Sequence, residues 1–373
     1  MKQIESYITD RLNATKELLL ESLLEVQNSY PNSELLEEFL YPAKNNLLKG
    51  KFIRPKMCLL GSMSNITNGS FSNSYVSDFS LTHLCTAIEL YHLSALIHDD
   101  IIDNTDTRRS NPATHIYFSN FHKKNFINTS AEKYGINAAI LLGDLLLSKS
   151  FEHIQKINIS NLDTYRNVIQ YFTEITKEVA IGQYYDLYAS NQQADKNYLL
   201  NKDIIKNILI SKTAHYTVTK PFILGNKISG NSNTNIEKIT QALVSWGIAF
   251  QMKDDELGIF GNRTKTGKPA GIDLIEEKKT LLLAFTLENL SIADRKEVIK
   301  VLPTLKEKNP IEQAELIENI KKQIVNSGAY YIHETKMKDY YNKGYSILKD
   351  LNINEEVKKY LLDFGQSLIE REG

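Results

Sequence analysis

The chain has 373 residues, 42% of them hydrophobic and 24% charged, with 17 glycines, 8 prolines and two cysteines. That length and balance exclude a small disulfide scaffold, a collagen-like repeat and a wholly disordered chain. Forty-four Lys and Arg against 45 Asp and Glu leave a formal charge of -1, so no global field recommends nucleic acid, and any phosphate chemistry has to come from a local cluster.

Apolar residues recur at intervals of three and four, and Gly and Pro fall mainly between the segments that carry them. The pattern predicts helices over 2–29, 34–48, 53–66, 75–103, 131–158, 161–190, 198–229, 234–258, 273–290, 310–327 and a broken one over 330–371. Segments 64–74, 104–130 and 229–235 read as surface loops. With no alternating run long enough to demand a sheet, no repeat and no linker, the expectation is a single all-α domain over 1–373. The first 25 residues mix acids and bases, and the longest apolar run, 136–148, contains Asp144, so neither a signal peptide nor a membrane span is expected. Cys58 and Cys85 lie in apolar helical text, which suits reduced buried thiols and a cytoplasmic protein.

Chemistry concentrates at the two Asp-Asp doublets of the sequence, Asp99-Asp100 and Asp254-Asp255, each near the end of a long apolar helix. Ile88, Tyr91, Ala95, Asp99 and Asp103 follow one another at helical steps, so Asp99 and Asp103 share a face. Phe250, Gln251, Asp254 and Gly258 do the same in the second helix, with Asp255 beside them. Carboxylates meet the negative end of the helix dipole there, which costs about 0.3–1 kcal/mol each, and a cation relieves it. A solvated acidic helix end would explain either doublet alone; two of them on apolar helices point to a function. Hard oxygen donors suit Mg²⁺ completed by water and phosphate. His92 and His98 have no Cys partner or His-Glu-x-x-His pattern to suggest zinc. Bases for a polyphosphate stand nearby in sequence: Arg108 and Arg109 after the first doublet, Lys51 and Arg54 at a helix start, then Lys212-Thr213 and Lys268.

These residues resemble the trans-isoprenyl (polyprenyl) diphosphate synthases. Leu96 to Asp103 with Arg108-Arg109 is similar to the family's first aspartate-rich motif, and Gln251 to Gly258 to the second. The supporting motifs occur in the family's order: Gly-Lys-x-x-Arg-Pro at 50–55, Glu89-x-x-His92, Gly143-Asp144, Gly182-Gln183-x-x-Asp186, Lys212-Thr213-x-x-Tyr216 and Thr-Gly-Lys-Pro at 266–269. Together they cover about residues 45–285. The resemblance implies an all-α bundle around a deep central cavity, a homodimer, and three Mg²⁺ ions bound by Asp99, Asp103 and Asp254, with Asp100 and Asp255 orienting that shell. It assigns Arg108, Lys212, Thr213, Gln183, Asp186, Gln251 and Lys268 to an allylic diphosphate. Lys51, Arg54, His92 and Arg109 match the positions for isopentenyl diphosphate. Three positions depart from the family: Phe52 replaces an Arg, Ser110 a Gly, and Gly258 the last Asp of the second motif.

Below the first doublet, Ser94 and Ala95 are small and Tyr91 is bulky one turn further down, about 5.4 Å along the axis and close to one isoprene unit. A floor at Tyr91 implies a C20 product, geranylgeranyl diphosphate, with C15 and C25 as the neighbouring lengths. The alternative is that Tyr91 simply packs in the bundle core. A class I terpene cyclase shares the aspartate-rich helix but has no use for a second diphosphate site, and a non-catalytic subunit of a heteromeric synthase would be expected to lack metal ligands.

Overall fold

The computed structural model describes residues 2–64, 76–109, 111–126, 130–191, 202–230, 235–261 and 271–370. The chain makes two compact units. The first comprises 1–176, 220–233 and 353–357, and the second 177–219, 234–352 and 358–373.

In the first unit, α1 (Lys2–Ser29), α2 (Ser33–Leu47) and α3 (Ile53–Met63) lead to α4 (Asp78–Ile102). The Ser77 hydroxyl accepts from the Ser80 amide at 3.3 Å, capping the start of α4. Being apolar on nearly every side, α4 is buried along most of its length against α1, α3 and α6. After α4 the chain turns through a pairing of β1 (Thr107–Arg108) with β2 (Asn111–Pro112), the one sheet among the described residues. It continues into α5 (Thr114–Asn125), α6 (Ala131–Gln155) and α7 (Leu162–Asn191), whose first half, to Thr176, belongs to this unit.

The second unit holds the rest of α7, α8 (Lys202–Leu209) and a π-helix (Ile210–Thr219). The chain then returns to the first unit as α9 (Lys220–Ile228) and re-enters the second with α10 (Ile236–Phe260). There follow α11 (Ile272–Ile275), α12 (Leu281–Asn289), α13 (Ile292–Val301), a 3-10 turn (Leu302–Glu307), α14 (Pro310–Asn326), α15 (Ala329–Lys349) and α16 (Glu355–Glu370). The core of this unit is α10, packed on α15 and the π-helix, with Trp246 fully buried and its Nε1–H donating to the Tyr341 carbonyl at 3.1 Å. Among the described residues, no helix is long and apolar enough to cross a membrane.

The all-α expectation holds, with four local corrections. Segment 104–130, read as a loop, contains α5: its buried stripe is Thr114, His115, Phe118, Ser119 and His122, helical in spacing but mostly polar, and Ala113 supplies no side-chain cap. The expected helix 198–229 is α8, the π-helix and α9 in succession, and 273–290 is two helices separated at Glu277, whose φ is +53. The unassigned stretch after 290 holds α13.

Candidate active site

Within the first unit, the end of α4 is braced by the turn that follows it. Thr105 N–H donates to the Asp100 carbonyl at 2.9 Å and Ala113 N–H to that of Asp106 at 2.9 Å. Arg108, carried on β1, folds back onto α4. Its Nε donates to Oδ1 of Asp100 at 2.8 Å, its terminal nitrogen bonds the same oxygen, and that nitrogen lies 3.8 Å from Asp99 Oδ2. Asp100 is buried, Asp99 half-buried and Asp103 exposed. Burial pushes the Asp100 carboxyl above its usual range, and the guanidinium works against that shift. Asp103 N–H bonds the Asp99 carbonyl at 2.8 Å, so the helical turn continues through it and the two carboxylates share a face.

A second group of bases gathers in the same unit. Arg109, at φ +52, donates through Nη1 to the Asn46 carbonyl at 2.6 Å, and its guanidinium lies against Gly50. Arg54 Nη1 donates to Nε2 of His92 at 3.0 Å; arginine only donates, so Nε2 accepts and His92 carries its proton on Nδ1. Burial, with Arg54, Arg109 and Arg108 adding to it, holds His92 well below the ordinary histidine value. Burial pushes Glu89, one turn before His92, up to about 7 despite the opposing field of Arg54 and Arg109. Sequence order thus brought together Arg54, His92, Arg109 and Glu89; Lys51 is exposed beside them in the chain. Phe52, where the family repeats Arg, is buried with Lys16 5.2 Å above its ring.

Further down α4, Tyr91 is buried. Its hydroxyl donates to the Thr176 carbonyl at 3.1 Å, and its ring meets Phe172 edge-on at 6.1 Å, which in turn meets Phe151 at 5.5 Å. Ser94 is buried and Ala95 half-buried.

In the second unit, α10 carries Gln251, Asp254 and Asp255. Gln251 Nε2 donates to Asp255 Oδ1 at 2.8 Å, and Lys278 Nζ reaches the same oxygen at 3.2 Å and Asp273 Oδ2 at 3.4 Å. Burial pushes Asp255 up to about 6, with Lys278 opposing and Asp273 adding to the rise. Burial disfavours the Lys278 charge, but Asp273 and Asp255 outweigh it and hold the ammonium protonated. Sequence reading missed Asp273 and Lys278. The signal was Gly258: the space of its absent side chain is filled by the Asp273 carboxylate. Asp254 is half-buried, as are Gln183 and Asp186, one turn apart on α7. The side chains of Lys212 and Thr213, and the whole of Lys268 and Ser110, lie outside the described residues.

Among the described residues, no three His, Cys, Asp or Glu side chains form a ready-made metal cage. Within the first unit, half-buried Asp99 and exposed Asp103 share a face at the end of α4, and such carboxylates are the donors Mg²⁺ takes when water and phosphate complete its shell. The residues present therefore fit that ion.

The profile of the polyprenyl synthetase family matches residues 36–320. The geranylgeranyl diphosphate synthase of Sulfolobus acidocaldarius is 26% identical, covering 98% of this chain and 98% of that one. The geranylfarnesyl diphosphate synthase of Aeropyrum pernix is 29% identical over 286 residues, 75% of this chain and 79% of that one. Among solved structures, the geranylgeranyl pyrophosphate synthase from Corynebacterium glutamicum, complexed with isoprenyl diphosphate and magnesium, is similar with a TM-score of 0.82 and 27% identity, covering 96% of this chain and 98% of that one. With the profile running from α2 into α14 through both acidic doublets, the chain belongs to the polyprenyl synthetase family and is a prenyltransferase.

Proposed function

We propose that the enzyme condenses isopentenyl diphosphate with an allylic diphosphate and releases geranylgeranyl diphosphate, a C20 product. The observation that carries this reading is the division of labour in the first unit: carboxylates at the end of α4, and a separate basic group of Arg54, His92 and Arg109 a turn or two away. A terpene cyclase needs only the first. Bound by Asp99, Asp103 and Asp254, three Mg²⁺ ions would supply the charge that stabilises a departing pyrophosphate. Asp100 and Asp255 are held by Arg108 and Lys278 and orient their neighbours. Arg108, Lys212, Thr213, Gln183, Asp186, Gln251 and Lys268 are assigned to the allylic diphosphate. Lys51, Arg54, His92 and Arg109 are assigned to isopentenyl diphosphate, whose double bond attacks the allylic cation. Neutral His92 donates only through Nδ1, since Nε2 is taken by Arg54. No side-chain base is required, because pyrophosphate itself can accept the final proton.

Tyr91, fixed by its bond to Thr176 and backed by Phe172, is the proposed floor for the growing chain. Homodimer formation is supported by exposed apolar side chains on α6, Ile140 and Leu141, and on α7, Ile181, Tyr184, Tyr185 and Tyr188. The buried free thiols of Cys58 and Cys85 support a cytoplasmic site of action. We read the two units as one catalytic domain, because the chain passes between them after 176, 219, 233, 352 and 357 and the family match runs through both.

The test incubates the purified chain with Mg²⁺, isopentenyl diphosphate and a C5, C10 or C15 allylic diphosphate, then dephosphorylates and sizes the products. C20 alcohol is expected. Hydrocarbon from the allylic diphosphate alone would identify a cyclase, and no product from the chain by itself would identify a subunit that needs a partner.

A further inference from the structure

The π-helix Ile210–Thr219 carries the Lys212-Thr213 motif. Its amides reach back five residues instead of four, so each turn takes in about one more residue than an α-turn and the side chains beyond it are rotated to a new face. Such stretches are rare and tend to mark functional positions. Holding one open requires contacts that the tighter helix would break. Ala214 lies against α10 at Gly247, where a Cβ would come within 2.5 Å of the Ala214 Cα. One residue on, His215 Nδ1 is 2.7 Å from Oε1 of Glu178 on α7. The carboxylate can only accept, so Nδ1–H donates. Thr219 Oγ1 donates to the Ala214 carbonyl at 3.2 Å, five residues back, closing the wide turn.

We infer that His215 and Glu178 are positioning residues that pin the π-helix and thereby set where Lys212 and Thr213 present themselves to the allylic diphosphate. The inference rests on the synthase reading above, which gives Lys212 and Thr213 that diphosphate. The pair acts through the backbone: His215 is two residues beyond Thr213, and Glu178 comes from a different helix. A segment freed to relax toward α-geometry shifts the residues it carries, and displacements of about 1 Å can cost on the order of a hundredfold in rate.

The test is steady-state kinetics of the full chain with isopentenyl diphosphate, an allylic diphosphate and Mg²⁺, on Glu178→Ala, His215→Ala, the double variant and Glu178→Gln. Each alanine variant is expected to lower kcat by about ten- to a hundredfold while KM for isopentenyl diphosphate stays within about twofold. The double variant should lose less than the product of the two single losses, because each single variant already removes the His215–Glu178 contact. Glu178→Gln keeps an oxygen acceptor and should regain most of the lost turnover. Amide hydrogen exchange on Glu178→Ala, which needs no activity, should quicken over 210–219 and not over α10. Additive losses, unchanged kcat, a rise confined to the isopentenyl diphosphate KM, or unchanged exchange over 210–219 would each overturn the inference. A wild-type chain that makes no prenyl product removes the synthase reading and the inference with it, whereas an active wild type with unaffected variants removes the inference alone.

Discussion

Gly258 and Asp273 occupy complementary halves of one space: the Asp273 carboxylate fills the position a Cβ at 258 would take, and Lys278 ties it to Asp255. The second acidic motif therefore lacks a carboxylate at 258 in sequence, yet has one there in space, delivered from α11. Gly258→Ala should push Asp273 off Lys278 and destabilise the chain by about 1–3 kcal/mol, the usual cost of overfilling a packed site. Asp273→Ala added to Gly258→Ala should recover part of that loss, since the clash goes with the carboxylate. Urea denaturation of the wild type and the two variants measures it, and a Gly258→Ala chain as stable as wild type contradicts the geometry.

Asp99→Ala and Asp254→Ala are expected to abolish nearly all turnover, by a factor of about a thousand or more, comparable with losing a principal electrostatic stabiliser. Both side chains are partly solvent-exposed, so the folds should survive. Product assays beside far-UV circular dichroism check this: near-normal turnover with helicity intact in either variant would falsify the metal assignment.

Glu89 links pH to stability. Its carboxyl moves from 4.5 to about 7 on folding, so the folded chain favours the protonated acid. Its contribution is fully present below about 4.5 and is lost as pH rises through about 7, at most roughly 3 kcal/mol in all. Glu89→Gln removes the titration and should melt higher than wild type at pH 8, with the advantage shrinking toward zero at pH 5. Melting curves at the two pH values decide it; an equal advantage at both means burial of Glu89 is not what sets the difference.

Tyr91→Ala should lengthen the product by one or two isoprene units, with Phe172 behind it limiting further growth. Chromatography of dephosphorylated products reads the result directly. A product still confined to the wild-type length would make Tyr91 an ordinary core residue and move the floor elsewhere.

The doublets on α4 and α10 were legible because apolar spacing and carboxylates coincide on single helices, and the basic group was legible because Gly50, Arg54, His92 and Arg109 each lie in a short motif. What escaped was assembled over distance or carried by atypical residues. α5 hid behind a buried stripe of Thr, Ser and His, where apolar periodicity has little to register. The π-helix escaped because five-residue hydrogen bonding leaves no distinct mark over ten residues of mixed character. His215 meets Glu178 across 37 positions, and Lys278 meets Asp255 across 23, pairings that local pattern does not encode. Asp273 sits in a helix of four residues, too short to display a period.

The Arg108 guanidinium bonds Asp100 and stands 3.8 Å from Asp99. Its single positive charge offsets one of the negative charges crowded at the tip of α4 and leaves the rest for other cations. On the proposed reading, an anionic substrate that drew Arg108 to itself would release Asp100 from this pairing, so that the arginine would serve as a placeholder counter-charge for a diphosphate.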